Sequence, residues 1–158
     1  MVRSLILVCL LSLALCSFSQ SKKDIKKHRI ASVAITETID GKTLNNEKIY
    51  YNAQGKEIEK KEYSKDGILE KTTKTRLNSL GDAIEVTEYD GSHQLKQKTL
   101  IKYNGLGDKK EEQIFDANEK LLRKHVYSYD AKGLKTERKT FDAEGKLIST
   151  KNYSYTYK

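Results

Sequence analysis

One five-residue pattern recurs along this chain at separations that alternate strictly between 14 and 12 residues. It consists of an anchor, usually aromatic, then Asp, Asn, Ser or Thr, two free positions and Gly. The anchors are Glu37, Tyr51, Tyr63, Leu77, Tyr89, Tyr103, Phe115, Tyr129 and Phe141, with Tyr155 where a tenth copy would begin. A fixed period of this kind means one supersecondary unit stacked on copies of itself, because no single unit can bury a hydrophobic face alone. The unit here has 26 residues in two unequal halves.

The residue types say what the unit is. The second position is Thr38, Asn52, Ser64, Asn78, Asp90, Asn104, Asp116, Asp130 or Asp142, always a short side chain whose oxygen accepts a backbone N–H. Such residues open type I turns. Three positions later stand Gly41, Gly55, Gly67, Gly81, Gly107, Gly133 and Gly145, with His93 and Glu119 in the remaining two slots. A type I turn followed by a left-handed Gly is a short hairpin connection whose bulge restores the twist of the strands. The spacing therefore predicts alternating strands of roughly seven and nine residues. Strands joined by such short connections pair with their sequence neighbours. The expected fold is all-β, an antiparallel meander of about ten strands in a single twisted or curled sheet, with a small barrel as the alternative. Ile101 with Tyr103, Tyr127 with Tyr129, and Tyr153 with Tyr155 fall two apart and should line one face. The opposite face reads as Lys, Glu, Thr and Gln.

The copies Tyr129-Asp130-x-x-Gly133, Phe141-Asp142-x-x-Gly145 and Tyr51-Asn52-x-x-Gly55 resemble the Tyr-Asp (YD) repeats of Rhs proteins. The segment Tyr50-Tyr51-Asn52-Ala53-Gln54-Gly55-Lys56 is similar to the variant MORN repeats of small bacterial proteins, including antitoxin-like ones. The resemblance covers Glu37 to Tyr155. It implies hairpin arrays with envelope-associated, carbohydrate-binding or protein-contact roles. The strict 12/14 alternation and the small number of copies depart from the large Rhs shells, so encapsulation of a toxin does not follow.

Export is expected from residues 1–19. Arg3 gives a positive start, Leu5 to Leu15 an apolar stretch, and Ser17-Phe18-Ser19 a small-x-small cleavage site, leaving Gln20 first in the mature chain. The apolar run falls short of the ~20 residues a spanning helix needs, so no transmembrane span is expected in the mature chain. A lipoprotein anchored at Cys16 is the minor alternative. Cleavage at Gln20 removes Cys9 and Cys16, leaving a periplasmic or extracellular domain without a thiol or a disulfide. Residues 20–29 read as a basic flexible leader and 30–158 as the β-repeat domain.

The sequence lacks the marks of catalysis. His28, His93 and His125 are far apart and without metal-ligand spacing, and every Gly belongs to a turn, so no phosphate-cradling loop is present. The carboxylates of Asp90, Asp116, Asp130 and Asp142 read as turn caps rather than calcium ligands, since each comes singly. No enzyme activity, cofactor or metal is expected. The tyrosines of the strand ends serve as a thin core or as an exposed platform. Tyr153, Tyr155 and Tyr157 are the residues placed to form a binding surface because they lie at the chain end.

Charge sets the class of partner. The chain carries a formal net charge of +8; residues 20–29 have five Lys/Arg against one acid, residues 30–119 have 14 against 17, and residues 120–158 have ten against four. A basic last third favours anionic envelope polymers or lipid head groups, and no nucleic acid is expected as a partner because the chain is expected outside the cytoplasm. The expected function is binding of a protein or an anionic glycan at the bacterial cell envelope, and the alternative is a structural or immunity-like inhibitor repeat.

Overall fold

The computed structural model describes residues 22–39 and 41–157. The expected signal segment, Cys16 and the cleavage position at Gln20 lie outside the described residues. A short helix, α1 (Lys22–Lys27), precedes ten strands: β1 (Ser32–Ile39), β2 (Lys42–Tyr51), β3 (Glu57–Tyr63), β4 (Leu69–Leu77), β5 (Ala83–Asp90), β6 (Leu95–Tyr103), β7 (Lys109–Asp116), β8 (Leu121–Tyr129), β9 (Lys135–Asp142) and β10 (Leu147–Asn152). They form one antiparallel sheet in sequence order, with β1 and β10 at its two edges. The sheet is open: β1 and β10 do not pair, and the barrel is not formed.

The turns explain the regularity. From Asn52 to Asp142 each second-position N–H donates to the main-chain carbonyl four residues on, and the residue three positions on donates back. The pairs Asn52–Lys56 and Gly55–Asn52, both at 2.9 Å, show the arrangement. The ladders from β2–β3 through β9–β10 each slip register beside the anchor, for example between Lys102 and Tyr103. One bulge per hairpin keeps the strand twist and allows the next strand to return in register. The residue after each turn takes the left-handed conformation, including His93 (φ 63°) and Glu119 (φ 62°), which lack the freedom of Gly.

The first copy departs from this scheme. Ile39 pairs with Lys42, so the connection has two residues, and β1 runs beyond Glu37, which is not a turn anchor. Asp40-Gly41 is a dipeptide favoured in two-residue hairpins, and it overrides the longer turn that Thr38 would open. Thr38 instead meets Thr43 across the hairpin, oxygen to oxygen at 2.9 Å. The bulge moves into the ladder, between Ile35 and Thr36.

Residues 22–27, read from sequence as part of a flexible leader, are helical. Ile25 is 2% exposed. Arg29 takes a left-handed conformation (φ 50°) and ends the helix; its N–H donates to Lys26 O at 3.2 Å, and that of Ile30 to Ile25 O at 3.0 Å. This Schellman arrangement satisfies carbonyls that the helix leaves open and brings two isoleucines together. Ile25 lines a cleft together with Tyr51 and Ala53.

Burial is thin because one layer has no second layer against it. Among the described strand residues only Ile101 (8%), Thr72 (2%) and Thr140 (6%) fall to single-digit exposure. Cross-strand partners share a face, so the ladders place Ile101, Glu112, His125 and Thr140 in one row on one side. The other side is not solely polar as expected. Tyr89, Phe115 and Phe141, the short-strand anchors, stand there with Leu100 and Val126. Odd and even strands end on opposite sides because 12- and 14-residue separations bring each class of anchor back to its own face. Both faces therefore carry aromatic rings, and neither is a closed core.

Candidate binding surface

On the Ile101 face, three strands bring titratable groups together. Glu112 of β7 is opposite His125 of β8, which is opposite Thr140 of β9, and Tyr127 is opposite Arg138. The Tyr127 hydroxyl donates to one Glu112 oxygen, and Lys109 Nζ lies 2.5 Å from the other. His125 Nδ1 and Thr140 Oγ1 are hydrogen-bonded at 2.9 Å. Arg138 Nε is buried without a hydrogen-bond partner among the described residues.

The electrostatics follow from these contacts. Burial alone would raise the Glu112 pKa, but the Lys109 ammonium, the Tyr127 hydroxyl and His125 together hold it below the usual 4.5. Burial, reinforced by the Arg138 guanidinium, pushes His125 below 6.5, against the opposing pull of Glu112. Burial and the bond to Glu112 drive the Tyr127 pKa up. At neutral pH the row therefore holds an ionised carboxylate, a neutral imidazole and a protonated phenol. A proton-transfer catalyst works best with a pKa near the operating pH, and all three are pushed away from it. Carboxylate, imidazole and phenol are each hydrogen-bonded to a neighbouring side chain, while the buried Arg138 Nε beside them has no partner among the described residues.

A cationic margin beside the row includes part of the surface expected from the sequence. Lys135 Nζ is 4.7 Å from the Tyr127 ring centre and 5.5 Å from that of Tyr153. Lys151 Nζ lies 5.6 Å from the Tyr153 ring, and Lys132 Nζ 5.0 Å from the ring of Tyr157. Tyr157 is 67% exposed. Tyr155 is tied down by its hydroxyl, which donates to Lys135 O at 2.8 Å. Tyr153 and Tyr157 thus stand among lysines, while Tyr155 serves the backbone. Among the described residues, Lys132, Lys135 and Lys151 make no ion pair with a carboxylate; further back, Lys60, Lys71 and Lys102 are paired at 2.7–3.1 Å.

Of the turn residues singled out in the sequence, Asp130 and Gly133 flank Lys132 at this surface, and the others close the remaining hairpins. Asn52 Oδ1 accepts the N–H groups of Gln54 and Lys56, each at 3.0 Å. Asp130 accepts those of Lys132 and Leu134 at 2.9 Å, and Asp142 that of Lys146 at 2.8 Å. Gly55, Gly67, Gly81, Gly107, Gly133 and Gly145 all have φ between 71° and 87°. Among the described residues no three His, Cys, Asp or Glu side chains are placed to hold a metal ion. No helix among them is long and apolar enough to cross a membrane.

Sequence reasoning missed Glu112, the His125–Thr140 bond and the lysine–aromatic pairs. The last were within reach: Lys98 and Lys124 stand opposite Phe115 and Phe141, each pair 17 residues apart and repeated at 26. Their ammonium groups lie 5.9 and 5.3 Å from the rings. A cleft of about 310 Å³ between α1 and the first long turn, lined by Ile25, Ile30, Tyr51 and Ala53 among others, was also unforeseen.

No family model matches the chain, and no curated protein matches it. Among solved structures it is similar to a porin-like protein from Bacteroides uniformis, with 15% identity over 80% of this chain and a TM-score of 0.47. It is also similar to TarM, with 15% identity over 82% of this chain and a TM-score of 0.32. The chain spans about half of the porin-like protein (51%) and 23% of TarM. At these scores neither likeness carries a statement about what this chain does.

Proposed function

We propose that this chain is an exported, non-enzymatic β-repeat protein that binds an anionic glycan at the cell envelope through the lysine–tyrosine surface of its last third. The observation that carries this reading is the set Lys132, Lys135 and Lys151. Each stands over a tyrosine ring, and none is neutralised by a carboxylate among the described residues. An aromatic ring offers a flat apolar surface to the C–H face of a sugar, and an adjacent ammonium pairs with a carboxylate or sulfate on the same sugar. Residues 120–158 carry ten basic against four acidic side chains, so the local field attracts polyanions. Export is part of the reading because residues 1–19 have the pattern of a secretory signal.

The test is calorimetric titration of the purified protein with a carboxylated and a sulfated polysaccharide, with neutral dextran as the control. Saturable binding to the anionic polymers, weakened by salt, is expected, and Lys132→Ala, Lys135→Ala and Tyr157→Ala combined should lower affinity at least tenfold. Equal binding by the triple variant with unchanged circular dichroism, or no binding by either protein, would sink the proposal.

A further inference from the structure

We propose that the two edges of the sheet pair with each other between copies of this chain, so that the protein associates head to tail through β10 of one copy and β1 of the next.

β10 occupies the long half of the 26-residue unit, as β8 does, and β1 occupies the short half, as β9 does. β8 and β9 pair antiparallel, and strand direction alternates through the sheet. An incoming β1 therefore meets β10 in the direction in which β9 meets β8, and the meander continues across the junction.

Charge points the same way. Interior strands range from two charged residues in nine positions, in β8, to five in seven or eight, in β3, β7 and β9. β1 carries one in eight and β10 one in six. Proteins that keep their edges unpaired place lysines, prolines or inward charges there. This chain reverses that practice and contains no proline at all. β10 is exposed throughout, with Leu147 at 47% and Ile148 at 56%. Among the described residues no strand pairs with the outer side of either edge.

The backbone supplies the donors. Tyr153 N–H donates inward to Thr136 O, so by alternation the N–H groups of Thr150 and Asn152 point out of the sheet. Ala31 O accepts inward from Tyr51 N–H, so Ser32 and Ala34 point outward from β1. Two different edges that fit each other make a heterologous contact, which adds copies in one direction.

This contact predicts a particular pattern of complementation. Ala34→Pro removes an outward N–H from β1 and Thr150→Pro one from β10, both at positions where an edge strand tolerates proline. Ala34→Lys and Thr150→Lys serve as a second pair that leaves the backbone intact, and circular dichroism checks the fold of all four. Analytical ultracentrifugation of the wild-type protein should show association that grows with concentration. Each single variant should associate at least tenfold more weakly with itself, whereas an equimolar mixture of the β1 and β10 variants should give a 1:1 dimer and nothing larger. A wild-type protein monomeric up to millimolar concentration would overturn the proposal. So would a single folded variant that self-associates like wild type, since the contact would then join like edges or lie elsewhere. Glycan binding is read separately, so either proposal can fail without the other.

Discussion

The hydroxyl of Tyr129 donates to the main-chain carbonyl of Lys109, 20 residues earlier and 2.8 Å away. The same bond recurs at both neighbouring repeats, from Tyr103 to Ala83 O at 2.9 Å and from Tyr155 to Lys135 O at 2.8 Å. These three tyrosines, at or just beyond the end of a long strand, thus tie it to the start of the strand before. In a sheet without a second layer, these ties take over part of the work that a core does elsewhere.

Tyr129→Phe keeps the ring and removes the donor, so it should cost about 1 kcal/mol, the net worth of one hydrogen bond. Leu77 occupies the same place in its repeat and has no hydroxyl, and it borders a cleft of about 220 Å³ that Asn52, Gln54 and Lys56 also line. Leu77→Tyr should place a hydroxyl near the Glu57 carbonyl and raise stability by a similar amount. Urea unfolding of both variants checks the pair; a destabilised Leu77→Tyr would mean that the tie is not transferable between repeats.

His93→Gly and Glu119→Gly should both stabilise the protein, because a side chain held left-handed costs roughly 1–2 kcal/mol. The gain at His93 should be the larger. Glu119 also pairs with Lys98 Nζ at 2.6 Å, and an exposed pair of this kind returns up to about 1 kcal/mol. Thermal unfolding gives the answer, and a lower Tm for His93→Gly would contradict the turn argument.

Stability should fall as the medium is acidified, in two stages. Above pH 6.5 His125 is neutral whether the chain is folded or not, and contributes no slope. Below it, the unfolded chain takes up the proton first because the folded site holds the imidazole pKa down, so stability falls with pH until the folded imidazole is charged as well. Glu112 repeats this behaviour below pH 4.5, since its folded pKa is also depressed. His125→Gln should flatten the first stage and shrink the second only by the part that His125 contributes to the Glu112 shift, as read by urea midpoints between pH 3.5 and 8.

Ile101→Ala should destabilise by about 2 kcal/mol or more, since it empties a well-covered apolar position. Leu106→Ala, at a turn residue 89% exposed, should change stability by less than about 0.5 kcal/mol. Equal effects would show that this sheet does not concentrate its packing at the centre.

The sequence by itself determined the turns, their order and hence the meander. Asn52, Asp130 and Asp142 accept local main-chain N–H groups, and Gly55 or Gly133 supplies the left-handed residue. These are interactions within five residues and need no tertiary partner. The 12/14 alternation then determined strand lengths and pairing, since each short connection leaves only the neighbour within reach. Where two local signals competed, as Thr38 and Asp40-Gly41 do in the first hairpin, sequence spacing alone chose the wrong turn.

Only the tertiary structure decided what the faces do. That Glu112, His125 and Thr140 form a row depends on bulges that set register in two successive ladders, and a shift of one residue would send each to the other side. The aromatic anchors fall on both faces for the same reason, although the period read alone suggested a single stripe. Ile25 and Tyr51, 26 positions apart, line one cleft, which a basic, polar segment does not announce. Openness, too, belongs to the tertiary level: the repeat sets how each strand meets the next, while the twist summed over ten strands decides whether β10 returns to β1. Here it does not, and two lightly charged edges stay unpaired among the described residues.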